Sequence, residues 1–197
     1  MMKKRRVFIA VNLPDRAKKR LIKIQSGWAG LPVRLTGREN LHVTLVFLGD
    51  IDDEGLLEAI AAVREVAAGF GSFSIKLNRV CLAPPRRPPR MIWAKGGKCQ
   101  KLSELKEGLR KNLFNFGFRQ RNETPMMFEP HITLARMRQN HWIKEMGQEA
   151  EKDISISFSV ESIEVMESVL SRKGPEYFVL ESISLEWSQD ENRDFRR

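Results

Sequence analysis

Two runs of this chain could do chemistry together. They are Leu41-His42-Val43-Thr44-Leu45-Val46-Phe47-Leu48 and Pro130-His131-Ile132-Thr133-Leu134-Ala135. Each reads His, apolar, Thr, apolar, and two of the chain's three histidines fall in this frame. Imidazole titrates near neutral pH, so one ring can hold a proton while the other lacks it. Two facing imidazoles can then serve as general base and general acid in one in-line displacement. The hydroxyls of Thr44 and Thr133 can donate to oxygens whose charge grows in the transition state. A phosphodiester suits this set, because its attacking and leaving oxygens lie on opposite sides of phosphorus. No His/Asp/Glu cluster at ligand spacing lies near either motif, and two histidines alone lack a third ligand, so no metal is expected. His141 is followed by Trp142-Ile143-Lys144, lacks the frame, and reads as a structural or surface residue.

For this chemistry the two runs must be strands that face each other. Side chains alternate along a strand. His42 and Thr44 therefore point one way, with Leu41, Val43, Leu45 and Phe47 rooted in a core behind them. His131 and Thr133 repeat the arrangement over Ile132 and Leu134. Val7 to Val11 reads as a buried strand. Pro14 and Asp15 start a helix with Ala17, Leu21, Ile24 and Trp28 on one stripe. Val33 to Thr36 reads as a short strand. Asp52 or Asp53 caps a second helix striped by Leu56, Ile60, Val63 and Ala67. Phe73, Ile75 and Leu77 alternate as a strand. Residues 83–90 hold four prolines and form a stiff connector, neither helix nor central strand.

After that connector the pattern restarts. Met91 to Ala94 is a strand, and Leu102, Leu105, Leu109, Leu113 and Phe116 stripe a helix that ends at Gly117. Residues 119–127 are polar and irregular, and 140–151 fit a short helix. Ile154 to Val160 alternates as a strand that can run on to Met166. Tyr177 to Trp187 returns as a last strand. The expected fold is α+β: two pseudo-symmetric lobes, each an antiparallel sheet with helices, flanking a central cleft that holds both His-x-Thr strands. The whole chain, 1–197, reads as one bilobal domain. The pattern repeat covers roughly 1–83 and 90–187, and 188–197 is a polar tail.

Composition adds bounds. The 197 residues are 42% hydrophobic and 30% charged, ordinary for a globular protein. No apolar run approaches the roughly 20 residues that span a bilayer. The apolar run after the basic start is too short for a signal sequence, so a cytoplasmic place is expected. Cys81 and Cys99 read as reduced thiols. The net charge of +9 favours a polyanionic partner through counterion release. The four tryptophans read as core, with a base-stacking role open for one of them, for Phe47 or for Tyr177.

At these residues the chain resembles the 2H phosphoesterase superfamily, and more closely the RNA 2',3'-cyclic phosphodiesterases formerly called 2'-5' RNA ligases. The resemblance extends to Arg6-Val7-Phe8-Ile9-Ala10-Val11, Glu39-Asn40-Leu41, Arg90-Met91-Ile92-Trp93-Ala94, Gly117-Phe118, Arg136, and Gly174-Pro175 with Tyr177. It implies two α+β lobes around a water-filled cleft. It implies metal-independent hydrolysis of a terminal RNA 2',3'-cyclic phosphate to a 2'-phosphate, with ligase-type chemistry on tRNA halves beside it. By the resemblance His42 and His131 are the catalytic pair and Thr44 and Thr133 hold the phosphate. Protonation of the departing O3' is assigned to His42 and water activation to His131, though a near-symmetric site allows the reverse. No cofactor is implied, and a monomer with no membrane partner is expected.

The chain departs from the family at two places. Val46 stands where lysine is frequent, and Met126 where arginine is frequent. Arg34, Arg38, Arg119 and Arg121 are the candidates for the missing charge. Arg136 matches the family and is a candidate substrate contact, yet strand parity sets it opposite His131, so contact requires a bend or strand end. Two other functions compete: a non-catalytic module that binds RNA ends, and a 2H phosphodiesterase acting on a small cyclic nucleotide or an ADP-ribose cyclic phosphate.

Overall fold

The computed structural model describes residues 4–28, 30–85, 89–118, 128–137, 150–172 and 174–185. The expected helix at 140–151 and the segment 119–127 fall almost wholly outside the described residues, as do Met126 and His141.

The first strand, β1 (Arg5–Asn12), is apolar on both faces. Val7, Ile9 and Val11 enter the main core, while Phe8 and Ala10 join Met166 in a smaller cluster on the other side. Such a strand belongs inside a sheet. It lies between β3 (His42–Ile51) and β8 (Ser162–Ser171), and β9 (Gly174–Ser184) completes a four-stranded antiparallel sheet in the order β3-β1-β8-β9. The second sheet has five strands in the order β2-β6-β5-β4-β7. These are β2 (Val33–Leu35), β6 (His131–Met137), β5 (Met91–Gly96), β4 (Phe73–Ala83) and β7 (Lys152–Val160). Gly96 is required at its place, since a Cβ there would meet the Lys76 carbonyl and the Pro130 ring.

Three helices carry the stripes read from the sequence. α1 (Asp15–Gln25) buries Ala17 and Leu21. α2 (Asp53–Ala67) is capped by Asp52, whose carboxylate accepts from the Gly55 N–H at 2.9 Å. α3 (Gln100–Asn115) buries Leu102, Leu105, Leu109 and Leu113 completely. Gly117 follows at φ +88°, the left-handed turn that ends a helix.

Two antiparallel sheets are present as expected, but neither is built from consecutive residues. β2 and β4 come from the first half and join the five-stranded sheet; β8 and β9 come from the second half and join the four-stranded one. The proline-rich stretch is not a connector between lobes. It closes a hairpin between β4 and β5, where the Arg90 N–H donates to the Ala83 carbonyl at 2.7 Å. The strand expected to run from Ile154 to Met166 divides at Glu161. Before it every second residue is buried, the mark of β7 at a sheet edge; after it Ile163, Glu164, Val165 and Met166 are all buried, the mark of β8 inside a sheet. The chain crosses from one sheet to the other at that change of burial.

Candidate active site

β3 and β6 deliver the two motifs, and each carries one extra residue just after its threonine. Ala10 of β1 pairs with Thr44 and Ile9 with Val46, leaving Leu45 as a bulge. Trp93 of β5 pairs with Thr133 and Ile92 with Ala135, leaving Leu134 as a bulge. A bulge sends two successive side chains to one face and reverses the alternation beyond it. Leu45 and Val46 accordingly both enter the core, as do Leu134 and Ala135. The residue after each pair turns back to the side of the histidines. Phe47, expected in the core, is instead 68% exposed and lines the cleft. Arg136 lines it too, and the Leu134 bulge is the bend that its position required.

The second bulge is held from behind. Its Leu134 carbonyl accepts from the Thr36 N–H at 2.8 Å and from the Gln25 amide at 2.7 Å. Gln25 is itself buried, at 2% exposure, and also donates to the Thr36 carbonyl at 2.8 Å. Helix α1 therefore fixes the kink that turns Arg136.

His42, Thr44, His131 and Thr133 line one cleft of about 840 Å³ between the sheets. The His42 Nδ1–H donates to the Asn40 carbonyl at 2.8 Å. That tautomer leaves Nε2 to accept from the Thr44 hydroxyl at 3.0 Å. His131 repeats the plan more loosely, with Nδ1 at 3.5 Å from the Glu129 carbonyl. Asn40 is anchored in turn: its amide donates to the Pro175 carbonyl at 2.9 Å and its Oδ1 accepts from the Tyr177 N–H at 3.3 Å.

The two rings sit against different walls. His42 meets Phe8 at 5.1 Å and the edge of Tyr177 at 5.0 Å. His131 is stacked on Trp93, centroids 4.1 Å apart and planes within 28°. Burial pushes the His42 imidazole down to about 4, against the pull of the Asn40 carbonyl; the nearby charges of His131, Lys18 and Arg136 add to the fall. Burial also lowers His131, with Lys106 and Lys95 contributing. In the unliganded protein both rings are neutral at pH 7.

Arg6, Arg34, Lys106 and Arg136 make the cleft strongly basic. Arg38, another candidate for the missing charge, instead bonds Asp15 at 2.8 Å. Arg119 and Arg121 lie outside the described residues. Val46 is core, on the face away from the cleft. Asn40 and Trp93 stood in recognisable segments of the sequence without a role; the carbonyl contact of one and the ring stack of the other require the fold to be seen. Among the described residues no group of three His, Cys, Asp or Glu side chains could hold a metal ion. Nor is any described helix long and apolar enough to cross a membrane.

Comparison with known proteins agrees with this architecture. The family model described as LigT like Phosphoesterase matches residues 11–93. The RNA 2',3'-cyclic phosphodiesterase of Methanocaldococcus jannaschii is 29% identical over 178 residues, covering 89% of this chain and 98% of that one. That of Thermotoga maritima is 28% identical over 180 residues, covering 89% and 92%. The crystal structure of TT0787 of Thermus thermophilus superposes with a TM-score of 0.79 at 27% identity, over 93% of this chain and 99% of that one. Over most of its length the chain is similar to the LigT-like phosphoesterases.

Proposed function

We propose that this protein hydrolyses the 2',3'-cyclic phosphate at the end of an RNA to a 2'-phosphomonoester, with His42 and His131 as the acid–base pair. The observation that carries the reading is the convergence of two His-x-Thr strands on one basic cleft. The names of the archaeal and bacterial relatives support the RNA substrate.

The phosphate sits between β3 and β6, with Thr44 and Thr133 donating to its non-bridging oxygens. One neutral imidazole takes a proton from water as it attacks phosphorus. The other, protonated, gives its proton to the departing O3'. Each Nδ1 is turned to a backbone carbonyl, so each Nε2 is the atom that faces the substrate. An anionic phosphate beside the rings raises their proton affinity and restores the proton that burial removes. Water activation by His131 and O3' protonation by His42 is the order proposed from the resemblance. It requires the bound phosphate to lift His42 in this way.

The test is product analysis. A short RNA ending in a 2',3'-cyclic phosphate is incubated with the protein in excess EDTA. The expected product is a 2'-phosphate end, and His42→Ala or His131→Ala abolishes it. A 3'-phosphate would reverse the leaving group. Binding without turnover would make the protein an RNA-end-binding module.

A further inference from the structure

We infer that Trp93 is a positioning residue for His131: its indole face fixes the plane of the imidazole and carries the positive charge that the ring takes on as water is deprotonated. The inference rests on the hydrolase reading above and deepens it. In that reading the water oxygen bonds phosphorus while its proton passes to His131 Nε2, and the P–O3' bond breaks as His42 gives its proton to O3'. His131 becomes an imidazolium during the step, so whatever stabilises that cation speeds the attack.

The contact is built by the ladder. Trp93 of β5 pairs with Thr133 of β6, and Lys95 pairs with His131. Trp93 is thus the diagonal neighbour of His131 on the cleft face, a separation that a long aromatic side chain spans. The two rings lie 4.1 Å apart with planes within 28°. Little else holds the imidazole. Its Nδ1 stands 3.5 Å from the Glu129 carbonyl, at the limit of a hydrogen bond, where His42 has 2.8 Å to Asn40. Among the described residues Thr133 makes no bond to His131 like that of Thr44 to His42 at 3.0 Å.

Tryptophan comes at a cost here. Its Nε1–H is buried with no hydrogen-bond partner among the described residues. An unpaired buried donor is unfavourable, and phenylalanine would fill the wall without one. What indole adds is the strongest aromatic face for a cation. The charges that reach His131 are Lys106 of α3, Lys95 of β5 and, when protonated, His42 of β3, and all three oppose a proton on it. Lys95 is paired with the Glu129 carboxylate at 2.5 Å. Phe128, also near His131, has Lys106 over its ring at 4.4 Å. His42 has no parallel face among the described residues: Phe8 is tilted 41° to it and Tyr177 meets it at 88°.

Packing and charge stabilisation would act in opposite directions. As a wall the indole excludes water, which disfavours the imidazolium; as a π face it favours the imidazolium. Draining the face while the shape is kept therefore lowers the proton affinity of His131 only if the face carries charge. Loss of a mere wall would raise it.

The experiment follows the imidazole proton resonances of the intact chain from about pH 4 to 8 and requires no turnover. Tryptophans carrying increasing numbers of fluorines are placed at position 93, which drains the ring face with little change of shape. The proton affinity of His131 is expected to fall stepwise with fluorine content, about tenfold at the most fluorinated ring, while that of His42 holds. On an RNA ending in a 2',3'-cyclic phosphate, Trp93→Leu should lower kcat about tenfold with KM within about twofold, and Trp93→Phe should recover part of the loss. The proposal is overturned if the proton affinity of His131 is unchanged or rises across the fluorinated series, or if His42 shifts equally. It is overturned too if Trp93→Phe is as slow as Trp93→Leu. A titration that shifts as expected in a protein that hydrolyses no cyclic phosphate would overturn the hydrolase reading and leave the charge-bearing contact of Trp93 with His131 standing.

Discussion

The enclosure of His42 makes acid stability a readout of the site. Its imidazole ordinarily titrates near 6.5 and is held at about 4 in the folded protein. Because the folded value is the lower one, the unfolded chain takes up a proton first as pH falls. Stability from the neutral ring is therefore complete above about pH 6.5 and is lost as pH drops toward 4. At pH 4.5 the unfolded chain gains about a hundredfold in protonation weight against little in the folded state, a loss on the order of 2.5 kcal/mol. That is a large part of a typical stability of about 5–15 kcal/mol.

The perturbation that isolates this loss is His42→Asn, which keeps a polar side chain and removes the titration. Urea unfolding of both proteins at pH 7.5 and 4.5 gives a difference of differences in which other titrating groups cancel. Wild type should lose about 2.5 kcal/mol more than the variant, roughly 1 M in urea midpoint. Equal losses would mean that His42 titrates as in water and that Phe8 and Tyr177 do not enclose it. A smaller loss in wild type would mean that the folded protein favours the imidazolium, the opposite of the burial argument.

Four further outcomes are expected. The profile of kcat/KM, which reports the free protein, should peak below pH 6.5, since both imidazoles are lowered and one must hold a proton; a rate flat from about pH 5 to 9 would remove the histidine pair. Gln25→Ala should destabilise the fold by about 1–3 kcal/mol in chemical denaturation, because it withdraws a buried donor from the Thr36 and Leu134 carbonyls. The same variant should bind RNA more weakly as the Leu134 bulge loosens and Arg136 turns from the cleft, and unchanged affinity would detach the bulge from binding. Phe47→Ala should raise KM about tenfold with kcat kept, the worth of one stacked base, and an unchanged KM would show that the exposed ring meets no nucleobase.

The motif strands, the three helical stripes and the polar ends of the helices were legible because period and capping are local properties. Thr44 and Thr133 follow from the same alternation that places the histidines, and both line the cleft. What alternation could not show is an interruption of itself. Nothing in Thr44-Leu45-Val46-Phe47 marks Leu45 as an extra residue, since apolar neighbours suit either face; only pairing with β1 reveals it. The same ignorance put Arg136 on the wrong side until β5 fixed the register. Strand exchange between the sheets was hidden for a related reason. Hairpin loops and crossings between sheets draw on the same turn residues, so the prolines of 84–89 looked like a boundary.

The two bulges also explain how a near-symmetric site acquires direction. At the histidines and threonines the two strands match, as a phosphate with opposed entering and leaving oxygens requires. Three residues beyond each threonine the match ends, with an exposed phenylalanine on β3 and an arginine on β6. The bulges bring these unlike residues to the face that the like ones occupy. On one flank Phe47 stands 5.9 Å from Phe8, an apolar surface suited to a base. On the other Arg136 stands beside Arg34, a cationic surface suited to a phosphate. A cyclic phosphate alone could enter such a site in either sense. A nucleotide chain, with base and backbone on different sides, could not. On the proposed reading the symmetric centre supplies the acid–base pair, and the unsymmetric flanks decide which imidazole meets the water.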